Sequence, residues 1–500
     1  MSENPILTWE HLLGEALLRF VLNLDKGPLE NLSEAQQEVL QYFDSGEVLK
    51  AGYDPRLPSL LATTRVGDLP LAWDLRRRCG GAIPDPIDDD PLASALTLVA
   101  RDCFCILLSP PDLTVPMGPG RSLPASPPSV ALSQAIYSHP TENDATELIR
   151  SEAENWPEGM VSSLSGSDSL KEEMSTDSVV SAAAEGWNHI PSGDAAAFMK
   201  ATADCLADLR HLAEGEPISI PAYIGLEGID LGGSGYQLPF GHLRPPTDPE
   251  RHFSPFLESD AKVAAILETT FETELRPQGE DGQGSANSQV AVGSLGRAFC
   301  LATAIERRDG ESVGTAAAIR WITDSTPFQS SGSFRHDRHL DWVPVVEYDA
   351  DAVHRLADWV EAIRSKDLSR IEIAVERVLR ACAETEWGEA LIDAVIAWEN
   401  LLGTQMETTF RVTAALTILC EDDPALRLER RRELSKLYDK RSKLVHGETV
   451  GTDPEIRKRS IQIGLEAIAR LIRDRPDLLD LAKSSARADR LLLGVGPGET

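Results

Sequence analysis

Five hundred residues exceed what one compact core usually holds, so two or three domains are expected. A formal net charge of −32 excludes a chain that coats nucleic acid through a general electrostatic field, and confines any polyanion to a local basic patch. Hydrophobic residues make up 42% of the chain, as in ordinary soluble proteins, and seven cysteines without Cys-x-x-Cys or framework spacing exclude a disulfide scaffold and read as reduced thiols.

A helical pattern runs from Ile6 to Leu24, and Ser33 with Gln36 offers a capping box for a second helix through Tyr42. Residues 92–108 are apolar and buried, as strand or helix; as a strand they would place Cys103 and Cys105 on one face. Arg101 and Asp102 interrupt this stretch and argue against a membrane span. The opening Met-Ser-Glu-Asn-Pro lacks a basic leader, so a cytoplasmic location is expected. Asp88, Asp89 and Asp90 read as loop charge. Residues 109–194 change character: prolines recur to Pro128, then Ser, Glu, Ala and Gly dominate, the composition of a linker or partly disordered insertion.

Residues 195–345 suggest an α+β domain with a small antiparallel sheet. Ile218–Leu226 and Tyr236–Phe240 flank a glycine turn at residues 232–235 that lacks the Lys-Ser/Thr of a phosphate loop. Thr269–Leu275 is another strand candidate, residues 277–288 a polar loop, and Phe299–Ile305 with Ala316–Ile322 bracket an Asp309-Gly310 hairpin signal. Gly293-Ser294 invites a nucleotidyltransferase reading, but no Asp-x-Asp follows. His336, Asp337, Arg338 and His339 lack a third ligand at useful spacing, so no metal is expected.

From residue 350 to 495 the pattern is a helical bundle. Helices are expected over 350–365, 368–383, 386–402, 407–419, 427–446, 453–473 and 478–493, with breaks at Gly403, Pro424 and Gly447. Leu391, Val395, Trp398 and Leu402 form one stripe, widened by Ile392 and Ile396.

The helix ending at His446 carries the chemistry. Its apolar positions Leu434, Leu437, Tyr438, Leu444 and Val445 leave the i+7 place to Arg441, a guanidinium that needs a carboxylate, a phosphate or a wet cleft. His446 follows where Gly447 ends the helix, at the negative end of the helix dipole, and Ser442 one turn earlier shares its face. Residues 427–446 hold eight Lys or Arg against three acids, a basic strip on an acidic chain, with Lys436, Lys440 and Lys443 placed to meet phosphates. Arg430, Arg431 and Arg432 read as a solvated face. Glu399 is expected to pair with Arg411 or Arg441 inside the bundle, with Tyr438 in support. An ion pair and a helix cap would explain Arg441 and His446 without any activity.

Trp387 to Gly403, then Arg411, then Leu437 to Gly447 (Leu-Tyr-Asp-Lys-Arg-Ser-Lys-Leu-Val-His-Gly) resemble the Apea-like branch of the HEPN superfamily. That family's signature is an Arg, four to six residues and a His. The resemblance implies a helical-bundle fold and metal-independent endoribonuclease activity without a cofactor. It also implies Arg441 and His446 as catalytic residues with Ser442 as a polar helper, RNA as substrate and a homodimer through the C-terminal domain. A role in prokaryotic defence or a toxin-like system follows from the same resemblance, with the N-terminal region sensing a signal or a regulatory partner. The alternative is a silent HEPN domain that dimerises or binds a nucleotide or RNA.

Overall fold

Asp and Ser side chains that accept from free backbone N–H groups start several of the helices, and their positions set the architecture. The protein, seen in a computed structural model, is described at residues 9–10, 13–24, 31–45, 57–88, 90–109, 114–116, 122–124, 128–155, 160–161, 174–189, 194–247, 250, 263–274, 276–277, 286–309, 312–326, 343–404, 408–448 and 453–494. Trp9, Glu10 and Leu13 are helical, and after a break at Gly14, at φ 77°, the helix Glu15–Val21 follows. Ser33 and Gln36 form the reciprocal capping box that opens the helix Glu34–Asp44.

Asp90 accepts from the Ala93 N–H at 2.8 Å and caps α1 (Pro91–Leu107), so it is a structural cap and not loop charge. The 92–108 stretch is therefore helical, and the buried Cys103 and Cys105 do not share a strand face. Arg101 and Asp102 are an internal ion pair at 2.8 Å. His139 Nε2 and Arg65 Nη1 each lie 3.0 Å from the second oxygen of that carboxylate. Surrounded by donors, the carboxylate tolerates burial. Among the described residues no helix is long and apolar enough to cross a membrane.

The 109–194 region, expected as linker, carries helices at Pro128–Tyr137, Glu142–Ala153 and α2 (Thr176–Asn188). All three pack against α1, burying Leu132, Ile136, Ile149, Val179 and Val180. Small alanines at 182–184 let α2 lie close, which composition alone hid because alanine counts little toward hydrophobic content yet favours helix. Next comes α3 (Ala195–Ala213), capped by Asp194 and packed on α1 and α2.

The central sheet has five strands: β1 (Ile218–Glu227), β2 (Tyr236–Leu238), β3 (Gly241–Arg244), β4 (Ala265–Thr273) and β5 (Ala318–Asp324). Its order is β5-β1-β4-β3-β2, antiparallel throughout, with a bulge in β5 between Ile319 and Trp321. A Cβ on Gly225 would lie 2.4 Å from the Trp321 ring, so glycine lets the indole cross β1. One face receives α4 (Ala286–Glu306), where Gly296 faces Ile224 and Ile319. The expected strand at Phe299–Ile305 and its hairpin are thus corrected to helix. Val292, Leu295, Phe299, Ala302 and Ile305 keep helical spacing, but neighbours between them are apolar too, because α4 is covered by both the sheet and the bundle. Gly293-Ser294 lies inside α4.

Behind the other face, Glu185 of α2 is buried, with one carboxyl oxygen lacking any partner among the described residues. Burial, with the charge of Asp324, pushes its carboxyl from 4.5 up to about 7. A pKa raised in the folded state stabilises fully below the unfolded value and ceases to do so as pH rises through the folded one. Stability should accordingly fall between pH 5 and 8, by up to about 3 kcal/mol. Glu185→Gln should flatten that slope and raise the Tm at pH 8; thermal melts across this range check it, and an unchanged slope contradicts it.

The C-terminal bundle comprises α5 (Ala350–Arg364), α6 (Glu372–Ala383), α7 (Trp387–Leu402), α8 (Thr408–Cys420), α9 (Arg427–Val445), α10 (Pro454–Arg473) and α11 (Ser484–Leu492). These bounds follow the sequence expectation closely, apart from a shorter α11. The central helix is α7, which packs on α6, α8, α9, α10 and α11. It buries Leu391, Val395, Trp398 and Leu402, and the stripe widens through Ala394, Ala397 and Leu401, while Ile392 and Ile396 are only partly buried. Gly464 of α10 meets the Trp398 indole, allowing the two helices to approach closely. Core contacts from α4 to α5, α6 and α10 join sheet and bundle into one continuous hydrophobic core.

Candidate functional site

The last turn of α9 is closed by backbone geometry. Gly447, at φ 78°, donates to the Leu444 carbonyl at 3.0 Å, and Glu448 donates to the Lys443 carbonyl at 2.9 Å. These two bonds form a Schellman cap, for which glycine is the favoured residue. His446 is thereby fixed as the C-cap residue, with its ring exposed. Its N–H donates to the Ser442 carbonyl at 3.1 Å, and Ser442 itself is partly buried.

Arg441 turns from this end toward α7. Its Nη2 lies 3.6 Å from Glu399 Oε2, with the arginine side chain 21% exposed. Tyr438 donates its hydroxyl to the other oxygen of Glu399. Burial, with that hydrogen bond, pushes the Tyr438 hydroxyl up to about 12, so it stays a donor. At 3.6 Å the ion pair is not a good hydrogen bond. Arg441 Nε is buried without a hydrogen-bond partner among the described residues. The guanidinium is therefore neutralised only in part, by a loose pairing at 3.6 Å.

Glu399 takes Arg441 and not Arg411, which forms an ion pair with Asp489 of α11. Arg411 thus braces α8 against α11. The basic strip divides as well. Lys436 and Lys443 are exposed, and Lys440 Nζ approaches Asp453 at 3.9 Å. Arg430, expected on a solvated face, is held by Glu433 at 3.0 Å and Glu466 at 2.7 Å, whereas Arg431 stacks 4.2 Å above the Phe410 ring. Arg432 is exposed. Val445, expected in the core stripe, is 53% exposed.

One arrangement escaped sequence reasoning because its members are far apart in the chain. Thr323 Oγ1, His189 Nε2 at 3.1 Å, and Glu250 Oε1 at 2.6 Å from Nδ1 form a hydroxyl, imidazole and carboxylate row. Burial opposes ionisation of Glu250, but hydrogen bonds from Arg244 and His189 outweigh it and hold its pKa at about 2. Thr323 is 0% exposed, so no substrate reaches its hydroxyl; the row is a satisfied polar network behind the sheet. The His336–His339 cluster lies outside the described residues. No family model, curated protein or solved structure matches the chain.

Proposed function

We propose that the C-terminal bundle is a metal-independent endoribonuclease of the HEPN type that works as a homodimer, under control of the region before residue 350. The supporting observation is the pair at the end of α9: a guanidinium 21% exposed and only loosely paired with Glu399 and, five residues on, an exposed imidazole fixed by a glycine cap. One imidazole cannot be base and acid in the same step, so two copies related by a twofold axis are required. In the dimer, one His446 takes the 2′-hydroxyl proton as the 2′-oxygen attacks phosphorus. The second His446, protonated, gives its proton to the departing 5′-oxygen, leaving a 2′,3′-cyclic phosphate and a free 5′-hydroxyl. Both Arg441 side chains stabilise the charge that builds on the phosphorus oxygens, and Lys436, Lys440 and Lys443 draw the neighbouring phosphates in.

A second reading is favoured by a single contact. Glu399 already faces Arg441, which suits a silent module that dimerises or binds RNA without cutting it. Incubation of the full chain with single-stranded RNA in EDTA separates the readings. The proposal expects cleavage that survives chelation, yields cyclic phosphate ends and vanishes in His446→Ala. Intact RNA with binding retained supports the silent module. A toxin-like or defence role further expects growth inhibition on expression, relieved by the same substitution.

A further inference from the structure

At the opposite end of α9 from His446 the bundle opens into a cleft of about 530 Å³. Its wall is one face of α10, where residues 459, 462, 466, 470 and 473 recur at helical spacing. Arg459, Arg470 and Arg473 from this face are joined by Arg430 of α9, Arg308 after α4 and Trp359 of α5. Five guanidiniums from three parts of the chain converge on one concavity, in a protein whose net charge is −32.

Two of the five are poised. The guanidinium of Arg473 lies 3.4 Å from the Trp359 ring centre, and that of Arg308 lies 5.7 Å from it, so one buried indole orients both. Stacking engages the face of a guanidinium and leaves its N–H edge open. Arg473 has no hydrogen bond or ion pair among the described residues. Arg308 gives one donor to the Ile305 carbonyl and stays 3.6 Å from Asp309. The remaining three are paired with carboxylates, of which Glu466 itself lines the cleft. Glu433 and Glu466 anchor Arg430, and Glu433 anchors Arg459. Arg470 pairs with Asp422 and Asp474, whose side chains are 79% and 51% exposed. Such exposed pairs are weak, so an incoming anion can replace them at little cost.

We propose that this cleft binds a small oligophosphate anion, gripped by Arg308, Arg470 and Arg473 over the Trp359 platform. Linked phosphates match the planar forks of several arginines, which a lone carboxylate does not. A compact ligand is favoured over an RNA strand because Asp309, Glu421 and Asp474 also line the cleft and would repel the further phosphates of a long polyanion. The site shares α9 with Arg441 but does not depend on the ribonuclease reading.

Isothermal titration of the full chain in EDTA with pyrophosphate, ATP, AMP and a short RNA tests this. Saturable binding of pyrophosphate, weakened at least tenfold in Arg473→Ala and in Arg308→Ala, is expected. Equal affinity for ATP identifies the phosphates alone as the ligand, and tighter binding of ATP identifies a nucleotide; either supports the site. The free Arg473→Ala variant should melt close to the native protein, because Arg473 is exposed and has no hydrogen bond or ion pair among the described residues beyond its stacking on Trp359. A Lys200→Ala control, at an exposed position of α3 outside the cleft, should bind pyrophosphate as the native chain does. The proposal is overturned if pyrophosphate and ATP give no saturable heat, if both arginine variants bind them like the native chain, or if only the RNA binds.

Discussion

If the bundle cleaves RNA as proposed, Arg441→Ala should lower kcat/KM for that cleavage by about a hundredfold or more, the loss typical when one donor to a transition-state oxyanion is removed. The structure sharpens this into an opposing pair of effects. Glu399 partly neutralises Arg441 at 3.6 Å, and Tyr438 holds that carboxylate in place. Glu399→Gln keeps the shape and the acceptor for Tyr438 but removes the competing charge, so it should lower KM for RNA several-fold while kcat changes little. Arg441→Lys should recover only a small part of the loss, since an ammonium has no fork to span two phosphate oxygens. Both kinetic constants, measured at two salt concentrations, check the pair of variants. If Arg441→Ala cleaves like the native chain, or Glu399→Gln weakens binding as much as Arg441→Ala does, the guanidinium is a bundle strut and the silent reading stands.

How much of this was legible in the chain depended on where local signals and tertiary contacts agreed. The bundle helices were readable because Asp349, Asp453-Pro454, Gly403 and Gly447 mark their ends, and because α5, α6 and α10 each keep a polar face. Arg441 stood out for the same reason: a charge at a core position is visible against a clear period. α4 was misread because an element covered on two sides loses the amphipathic contrast that distinguishes helix from strand. The helices within 109–194 were missed because buried alanine and serine resemble linker composition. The arginine cleft could not be read at all. Arg308 sat in an expected hairpin, Arg430 in an expected solvated run, and nothing local links either to Trp359 or Arg473. The partner of Glu399 could be narrowed to two arginines, but choosing between them required Asp489, which draws Arg411 away.

Arg487→Ala should destabilise the protein by roughly 3–5 kcal/mol, more than any surface ion-pair deletion. Arg487 is 1% exposed, and burial pushes its pKa down from the usual arginine value. Its donors go to no carboxylate among the described residues. Nε donates to the Leu401 carbonyl at 2.7 Å, Nη2 to Asn400 at 2.8 Å and Nη1 to Leu481 at 2.8 Å. These include the orphan carbonyls at the end of α7, which Gly403 alone does not satisfy. Alanine would strand three buried acceptors and leave a cavity. Arg487→Lys would keep the charge but reach fewer of the three, and should fall between. Urea denaturation followed by circular dichroism measures the change; a loss below about 1 kcal/mol would mean that water replaces the guanidinium. The effect also reaches the candidate site, because Asn400 and Leu401 directly follow Glu399 on α7. Loosening that turn frees the carboxylate that faces Arg441, so at temperatures where Arg487→Lys remains folded its KM for RNA should move toward that of Glu399→Gln. A KM equal to the native value would show that the cap and the site are mechanically separate.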